Sequence, residues 1–328
     1  MGPRWLWLAG LMASGCVSAG ELPLSEPIWV ENLSPVSGLV SLPPQRSGVV
    51  SDGWRIDSHV AIGNHFVVDG TPEESVMLDG ETTRLSLALE YGWRPNWSAR
   101  LTLPWVAHDG GFLDGAIDGW HDFFGMDDGG RAGFPRDQIR YLRASAEGQF
   151  ELIEGRRGLG DIRFELNHGF YHSSDMAASL TLGYKAASGS DDDFTGSGAS
   201  DVFATLRVSG APQSMLSLSW HAQAGYSRAG ESRLLGAGQR RGVWFAGMGI
   251  GWQFAGNWSA LAQFDSHAAP LHSPLDALGS VSGLHSLGLR FHPSENWSVD
   301  VSFVEDIIVA TAPDITFQAS LRWRPGSR

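Results

Sequence analysis

Read in steps of two, the stretch from Leu284 to Trp323 splits into two faces. Leu287, Leu289 and Phe291 share one parity and Gly288 and Arg290 the other; Pro293-Ser294-Glu295-Asn296 interrupts, and Trp297, Val299, Val301 and Phe303 resume against Ser298, Asp300 and Ser302. Side chains along a strand alternate sides, so each run carries an apolar and a polar face, and the break between them predicts an antiparallel hairpin. A third run follows, with Ile315, Phe317, Ala319, Leu321 and Trp323 opposed to Thr316, Gln318, Ser320 and Arg322.

The same alternation recurs upstream. Trp54, Ile56, Val60, Ile62, Phe66 and Val68 oppose Arg55, Asp57, His59 and His65. Leu85, Leu87, Leu89, Tyr91 and Trp93 oppose Arg84, Ser86 and Glu90, and after Arg94-Pro95-Asn96 the run from Trp97 to Trp105 opposes Ser98, Arg100 and Thr102. Further runs cover 162–170, 180–184, 202–208, 216–226, 244–254 and 258–264, which brings the count to about twelve. Connections at 94–96, 210–213, 255–257 and 293–296 are short, whereas those at 69–80, 107–160, 188–200, 228–241, 268–283 and 306–314 are long, and short and long alternate throughout if 172–176 is a further short turn. That alternation suits a barrel with short periplasmic turns and long outer loops. It predicts twelve strands if 139–152, which also alternates, is a hairpin protruding from the outer loop, and fourteen otherwise.

A soluble sandwich would place the charged parity outside; an outer-membrane barrel places it inside. An arginine facing mid-bilayer lipid costs roughly 2–4 kcal/mol, so every strand charge has to share the lumenal parity. Arg55, Asp57, Arg84, Glu90, Arg100, Arg163, Glu165, Asp265, Arg290, Asp300 and Arg322 do so, and are the expected lumen lining. Asn96-Trp97-Ser98, Asn257-Trp258-Ser259 and Asn296-Trp297-Ser298 each follow a short turn. Tryptophans repeated at one depth read as a periplasmic aromatic girdle, joined by Trp93, Trp252 and Trp323. The expected fold is therefore all-β, an antiparallel transmembrane barrel over 51–328.

The start of the chain differs. Residues 1–19 read as a signal peptide, with a short apolar run from Trp5 to Ala13 and Val17-Ser18-Ala19 before the cut; a lipoprotein-type cut at Cys16 is the rival. Cys16 is the only cysteine, which excludes thiol chemistry and cysteine-ligated metals in a chain cut after Ala19. Residues 20–50 carry Pro23, Pro27, Pro35, Pro43 and Pro44 without clean periodicity, predicting an irregular periplasmic lead or a plug. A net charge of −13 argues against nucleic acid. Lys185 is the sole lysine among many arginines, a bias to which the sequence attaches no function.

Candidate chemistry lies in the outer loops. From Phe112 to Met126 the period changes from two to about 3.6: Leu113, Ile117, Trp120 and Phe124 form a stripe suited to a lid, opposite Asp114, Asp118, His121 and Asp122. Asp114, Asp118 and His121 could ligate a divalent cation, and so could Asp191, Asp192 and Asp193 in the loop after Gly189; solvated faces are the plainer account of both. Ser and His cluster at 168–175 and 266–273 without a Gly-x-Ser-x-Gly signature, so an outer-membrane lipid hydrolase ranks last and no catalytic residue or cofactor is expected.

The chain resembles a family of Gram-negative outer-membrane proteins classed as a domain of unknown function, similar in pattern to barrels attributed to uptake of aromatic or hydrophobic compounds. The likeness rests on Asn32-Leu33-Ser34-Pro35, Gly80-Glu81-Thr82-Thr83-Arg84, the loop 111–125, Gly158-Leu159-Gly160-Asp161, Thr195-Gly196-Ser197-Gly198 with Asp201, Glu305-Asp306 and Ala312-Pro313-Asp314-Ile315-Thr316-Phe317. The resemblance implies an outer-membrane barrel and brings no established activity or functional residues. One departure is the extension past the aromatic Trp323 to Arg328, since barrel-assembly signals usually end at the aromatic. The expectation is a passive channel or uptake barrel for small solutes. A closed structural or surface-interaction barrel with cation- or lipopolysaccharide-binding loops is the alternative, and the barrel-assembly machinery and outer-membrane lipid are the implied partners.

Overall fold

The computed structural model describes residues 26–50, 52–124, 130–212, 217–308 and 311–325. The expected signal peptide over 1–19 and Cys16 lie outside the described residues. Twelve antiparallel strands close into a barrel. They are β1 (Gly53–Gly70), β2 (Glu74–Arg94), β3 (Trp97–Asp109), β7 (Arg163–His172), β8 (Met176–Lys185), β9 (Asp201–Gly210), β10 (Leu218–Arg228), β11 (Gly242–Ala255), β12 (Trp258–His267), β13 (Ser282–Ser294), β14 (Trp297–Asp306) and β15 (Ile315–Trp323). The seam joins first strand to last, with Ile56 opposite Trp323 and Asn64 opposite Ile315.

The hairpin β4 (Arg140–Ser145) and β5 (Gly148–Leu152) stands outside the wall and pairs with the outer end of β2, Glu74 opposite Ser145. The wall count is therefore twelve rather than fourteen. The short β6 (Arg156–Leu159) continues the line of β7 along β3, offset at Gly160-Asp161-Ile162 beside Pro104, which has no N–H to give the ladder. One loop differs from expectation. The stretch 69–80 was expected as a long connection, yet β1 and β2 run on and turn only at 71–73, where Thr71 Oγ1 accepts from Glu74 N at 3.2 Å. Asp69, Gly70 and Pro72 signal a turn, but inward Val67, Val76 and Leu78 are buried under β4–β5, and that burial extends the strands.

The faces divide as the parity requires. Met248 is 63 % exposed, Ile250 58 % and Val301 62 %, values that in water would be costly and that a hydrocarbon surround removes. At the turn end, Trp297 stacks on Trp323 at 5.7 Å, Trp258 lies 4.7 Å from Phe291, and Trp93 lies 6.5 Å from Trp97. These rings form a girdle at the end of the barrel where the connections are short. At the loop end an apolar cap gathers Tyr141, Phe150, Phe194, Leu235, Leu271, Leu275 and Leu278 over the mouth.

Candidate functional site

The site is the lumen, and it is occupied. About eight strands give an interior that wall side chains can fill; twelve leave room for more. Residues 26–50 take that room as a hairpin that rises from the turn end, bends under the cap and returns. Prolines keep this segment out of any ladder, so wall side chains must satisfy its backbone. On the rising leg Arg322 Nη2 donates to the Pro27 carbonyl at 2.7 Å, Ile28 N donates to Gln263 Oε1 at 2.9 Å, and Asn32 Nδ2 donates to the Thr311 carbonyl at 3.0 Å. The bend is a single 3-10 turn, Ser37–Leu39. On the descending leg Ser41 N donates to Asp201 Oδ2 at 2.8 Å, Gln223 Nε2 to the Pro43 carbonyl at 3.2 Å, and Gln45 Nε2 to Asp265 Oδ1 at 2.8 Å. Gly48 presses so closely on the wall that a Cβ there would sit 2.4 Å from the Ala177 carbonyl oxygen.

The two legs meet at the base through charge. Glu26 Oε2 accepts from Ser47 N at 3.3 Å, while its Oε1 accepts from Arg55 at 2.6 Å and Arg324 at 2.8 Å. Burial would raise the Glu26 pKa, but Arg55 and Arg324 outweigh it and hold the carboxyl well below its ordinary range. Arg46 pairs with Glu90 and lies 3.5 Å from Glu165, which in turn pairs with Arg207 at 3.3 Å. Arg100 joins Asp57 at 2.7 Å to Glu90 at 3.4 Å, and Asp300 bridges Arg290 at 2.6 Å and Arg322 at 2.8 Å. The hairpin supplies members of this lattice rather than merely lying against it.

Above the base, Trp29 stacks on His59 with centroids 5.0 Å apart and planes 7° apart, and the Arg100 guanidinium also lies over the Trp29 ring at 5.1 Å. Two residues on, Glu31 is held by Arg163 and by Arg84 at 3.3 Å, and accepts from Trp29 Nε1 at 3.0 Å. Burial alone would raise the Glu31 pKa; Arg163 and Arg84 override it and bring it down to about 2. At the bend, Lys185 Nζ donates to the Leu39 carbonyl at 2.6 Å and Ser197 Oγ at 2.7 Å, between Asp161 at 3.0 Å and Asp201 at 3.1 Å. Val36, Leu39 and Val40 then pack into the cap from below.

All the residues expected to line the lumen point inward. Arg55, Asp57, Glu90, Arg100, Arg163, Glu165, Arg290, Asp300 and Arg322 are buried, and Arg84 and Asp265 are half-buried or better. The expected lid is a helix, α1 (Asp114–Phe124), with Ile117 buried and Leu113 half-buried; the side chains of Trp120, His121 and Phe124 lie outside the described residues. The carboxylates of the cation readings meet guanidinium groups. Asp114 accepts from Arg131 at 2.8 Å and from Asn64 at 2.8 Å, and Asp118 pairs with Arg136 at 2.6 Å. Asp191 and Asp192 clasp Arg233 at 3.0 and 2.6 Å, and Asp193 faces Arg156 at 3.5 Å. Guanidinium groups from neighbouring loops thus partner these carboxylates, and among the described residues, which leave out the His121 side chain, no group of three or more His, Cys, Asp or Glu residues could hold a metal ion. The serine and histidine clusters do not pair either: His168 stacks on Trp97 at 4.3 Å, and Ser273 Oγ donates to Glu74 at 2.5 Å.

The sequence reading missed Glu26, Trp29, Glu31, Arg46 and Lys185. The signal available was a proline-rich, non-periodic stretch holding isolated charges between apolar residues, which buries only where partners wait for it.

The model of a family described as Protein of unknown function (DUF3187) matches residues 23–324. None of the curated proteins matches the chain. Among solved structures, the COG4313 outer membrane channel from Pseudomonas putida F1 is similar with a TM-score of 0.54 and 11 % identity, over 86 % of this chain and 98 % of that one. The NanC porin follows at 0.45 and 7 %, over 83 % and 100 %, and the toluene transporter TbuX of Ralstonia pickettii at 0.42 and 10 %, over 85 % and 91 %. At such identities the likeness concerns the fold, which is that of outer-membrane β-barrels.

Proposed function

The chain belongs to the family described as Protein of unknown function (DUF3187), and on that premise we propose that it is a gated uptake barrel for small solutes in a Gram-negative outer membrane, closed by its own residues 26–50. The observation that carries this reading is the hairpin's connectivity. Both ends leave at the turn end, where Glu26 meets Ser47 N and Gly53 begins β1, so the whole insert can withdraw toward the periplasm without threading or breaking a wall strand. Its hold combines polar contacts that water can satisfy after withdrawal with apolar packing of Val36, Leu39 and Val40 into the cap and of Ile28 and Val30 against the wall. The lumen it leaves is lined by both charge signs, a wet path for polar solutes. The reading assigns no catalytic residue.

A closed structural barrel is favoured by one observation, the apolar cap sealing the mouth. A tether separates the two. Ser47 Oγ and Ser209 Oγ are 2.9 Å apart, close enough for a cysteine pair at these positions to bridge hairpin and wall. In planar bilayers the oxidised S47C/S209C protein is expected to pass no current and the reduced protein to show discrete ion-permeable events. A reduced, verifiably folded protein without such events would overturn gating in favour of the closed barrel.

A further inference from the structure

We propose that the solute is a small aromatic carboxylate, and that Trp29 and Glu31 occupy its seat as a built-in mimic. The inference rests on the gated-barrel reading and names the substrate class of that same lumen.

Trp29 presents a planar ring and Glu31 a carboxylate, with the carboxylate accepting from the indole N–H at 3.0 Å. Together they form one amphipathic unit, a ring with an anion beside it. The wall meets each part with matching chemistry. His59 stacks on the ring and the Arg100 guanidinium covers it, a combination that favours aromatic over aliphatic faces. Arg84 and Arg163 hold the carboxylate, and these four wall residues come from the adjoining strands β1, β2, β3 and β7.

The clamp has capacity that Glu31 does not use. Arg163 Nε and Nη2 are buried and make no hydrogen bond among the described residues, and the Arg84 and Arg163 side chains line a cavity of about 20 Å³ beside Glu31. A free carboxylate, unconstrained by a backbone, can engage a guanidinium in two parallel hydrogen bonds, which Glu31 does not achieve with either arginine. Charge argues the same way. The hairpin brings two carboxylates, Glu26 and Glu31, and one guanidinium, Arg46, so withdrawal leaves the wall one positive charge richer and suited to an anion. Solute and hairpin therefore compete for one seat, and the right solute would open its own path.

The test uses the full chain in proteoliposomes, with three probes of similar size: indole-3-acetate, cyclohexylacetate, which lacks the aromatic face, and indole-3-methanol, which lacks the charge. Indole-3-acetate is expected to enter about tenfold faster than either, with saturable flux, as one stacking or charge-assisted contact allows. The preference over indole-3-methanol should fall to within twofold in Arg84→Gln/Arg163→Gln, with heat-modifiable gel migration as the check on folding. Arg84→Lys/Arg163→Lys, which keeps the charge and loses the fork, should retain part of the preference. Equal flux of the three probes through a protein that passes potassium chloride overturns the mimic and leaves the gate standing. A protein that passes neither salt nor probe overturns the gated-barrel reading itself.

Discussion

The ammonium of Lys185 donates to the carbonyl of Leu39 at 2.6 Å, so the chain's only lysine closes on the bend of the hairpin that fills the lumen. A compact point charge with three donors suits this seat better than a planar guanidinium would, since its partners surround it. Lys185→Met leaves Asp161 and Asp201 buried without their counter-charge, at a cost of roughly 3–5 kcal/mol that withdrawal of the hairpin relieves in part. More frequent opening in single-channel records is the expected outcome. In the wild type, Lys185 should resist an amine-specific acylating reagent while closed and react once the hairpin leaves, which mass spectrometry of the peptide containing it reads directly.

The clamp on Glu31 makes closure acid-sensitive. Its bound pKa, about 2, lies below the ordinary value of 4.5, so the carboxylate is worth most to attachment when ionised. This contribution, on the order of 3 kcal/mol, is complete above about 4.5 and fades as pH falls toward 2. Open probability should rise on acidification through that window and stay flat between 6 and 8. Glu31→Gln should weaken the acid response, leaving the part that Glu26 carries through Arg55 and Arg324, and open more at neutral pH; an unchanged profile in that variant would place the sensor elsewhere.

Gly48 tests the fit of the descending leg. A Cβ there meets the Ala177 carbonyl oxygen at 2.4 Å, and a wall carbonyl in the ladder cannot yield as a flexible side chain would. Gly48→Val should loosen the leg by on the order of 1–3 kcal/mol while leaving the wall strands intact. Heat-modifiable migration should match the wild type, and conductance events should become more frequent.

The wall was legible because lipid enforces a strict rule: one misplaced arginine among Arg55, Arg100 or Arg290 would face hydrocarbon, so parity alone located the inside. The girdle was legible for the same reason, through Trp97, Trp258 and Trp297 beside their turns. Nothing comparable governs the lumen, where satisfaction depends on partners distant in sequence. Glu31 and Arg163, or Lys185 and Leu39, show no spacing that links them, and Asp114 looked like a cation ligand because Arg131 lies beyond a loop. Local pattern also misjudged residues 69–80, where turn-forming side chains ride on strands that a neighbouring hairpin extends.

The seam between β1 and β15 bears on how the molecule is made. The segment occupying the interior precedes the opening strand, and the circle is completed only by the last one, so the finished molecule is a clasp closed around part of its own chain. Since both ends of that segment leave at the turn end, the stopper can be seated before or after the circle closes, and one docked hairpin separates a sealed vessel from a leak.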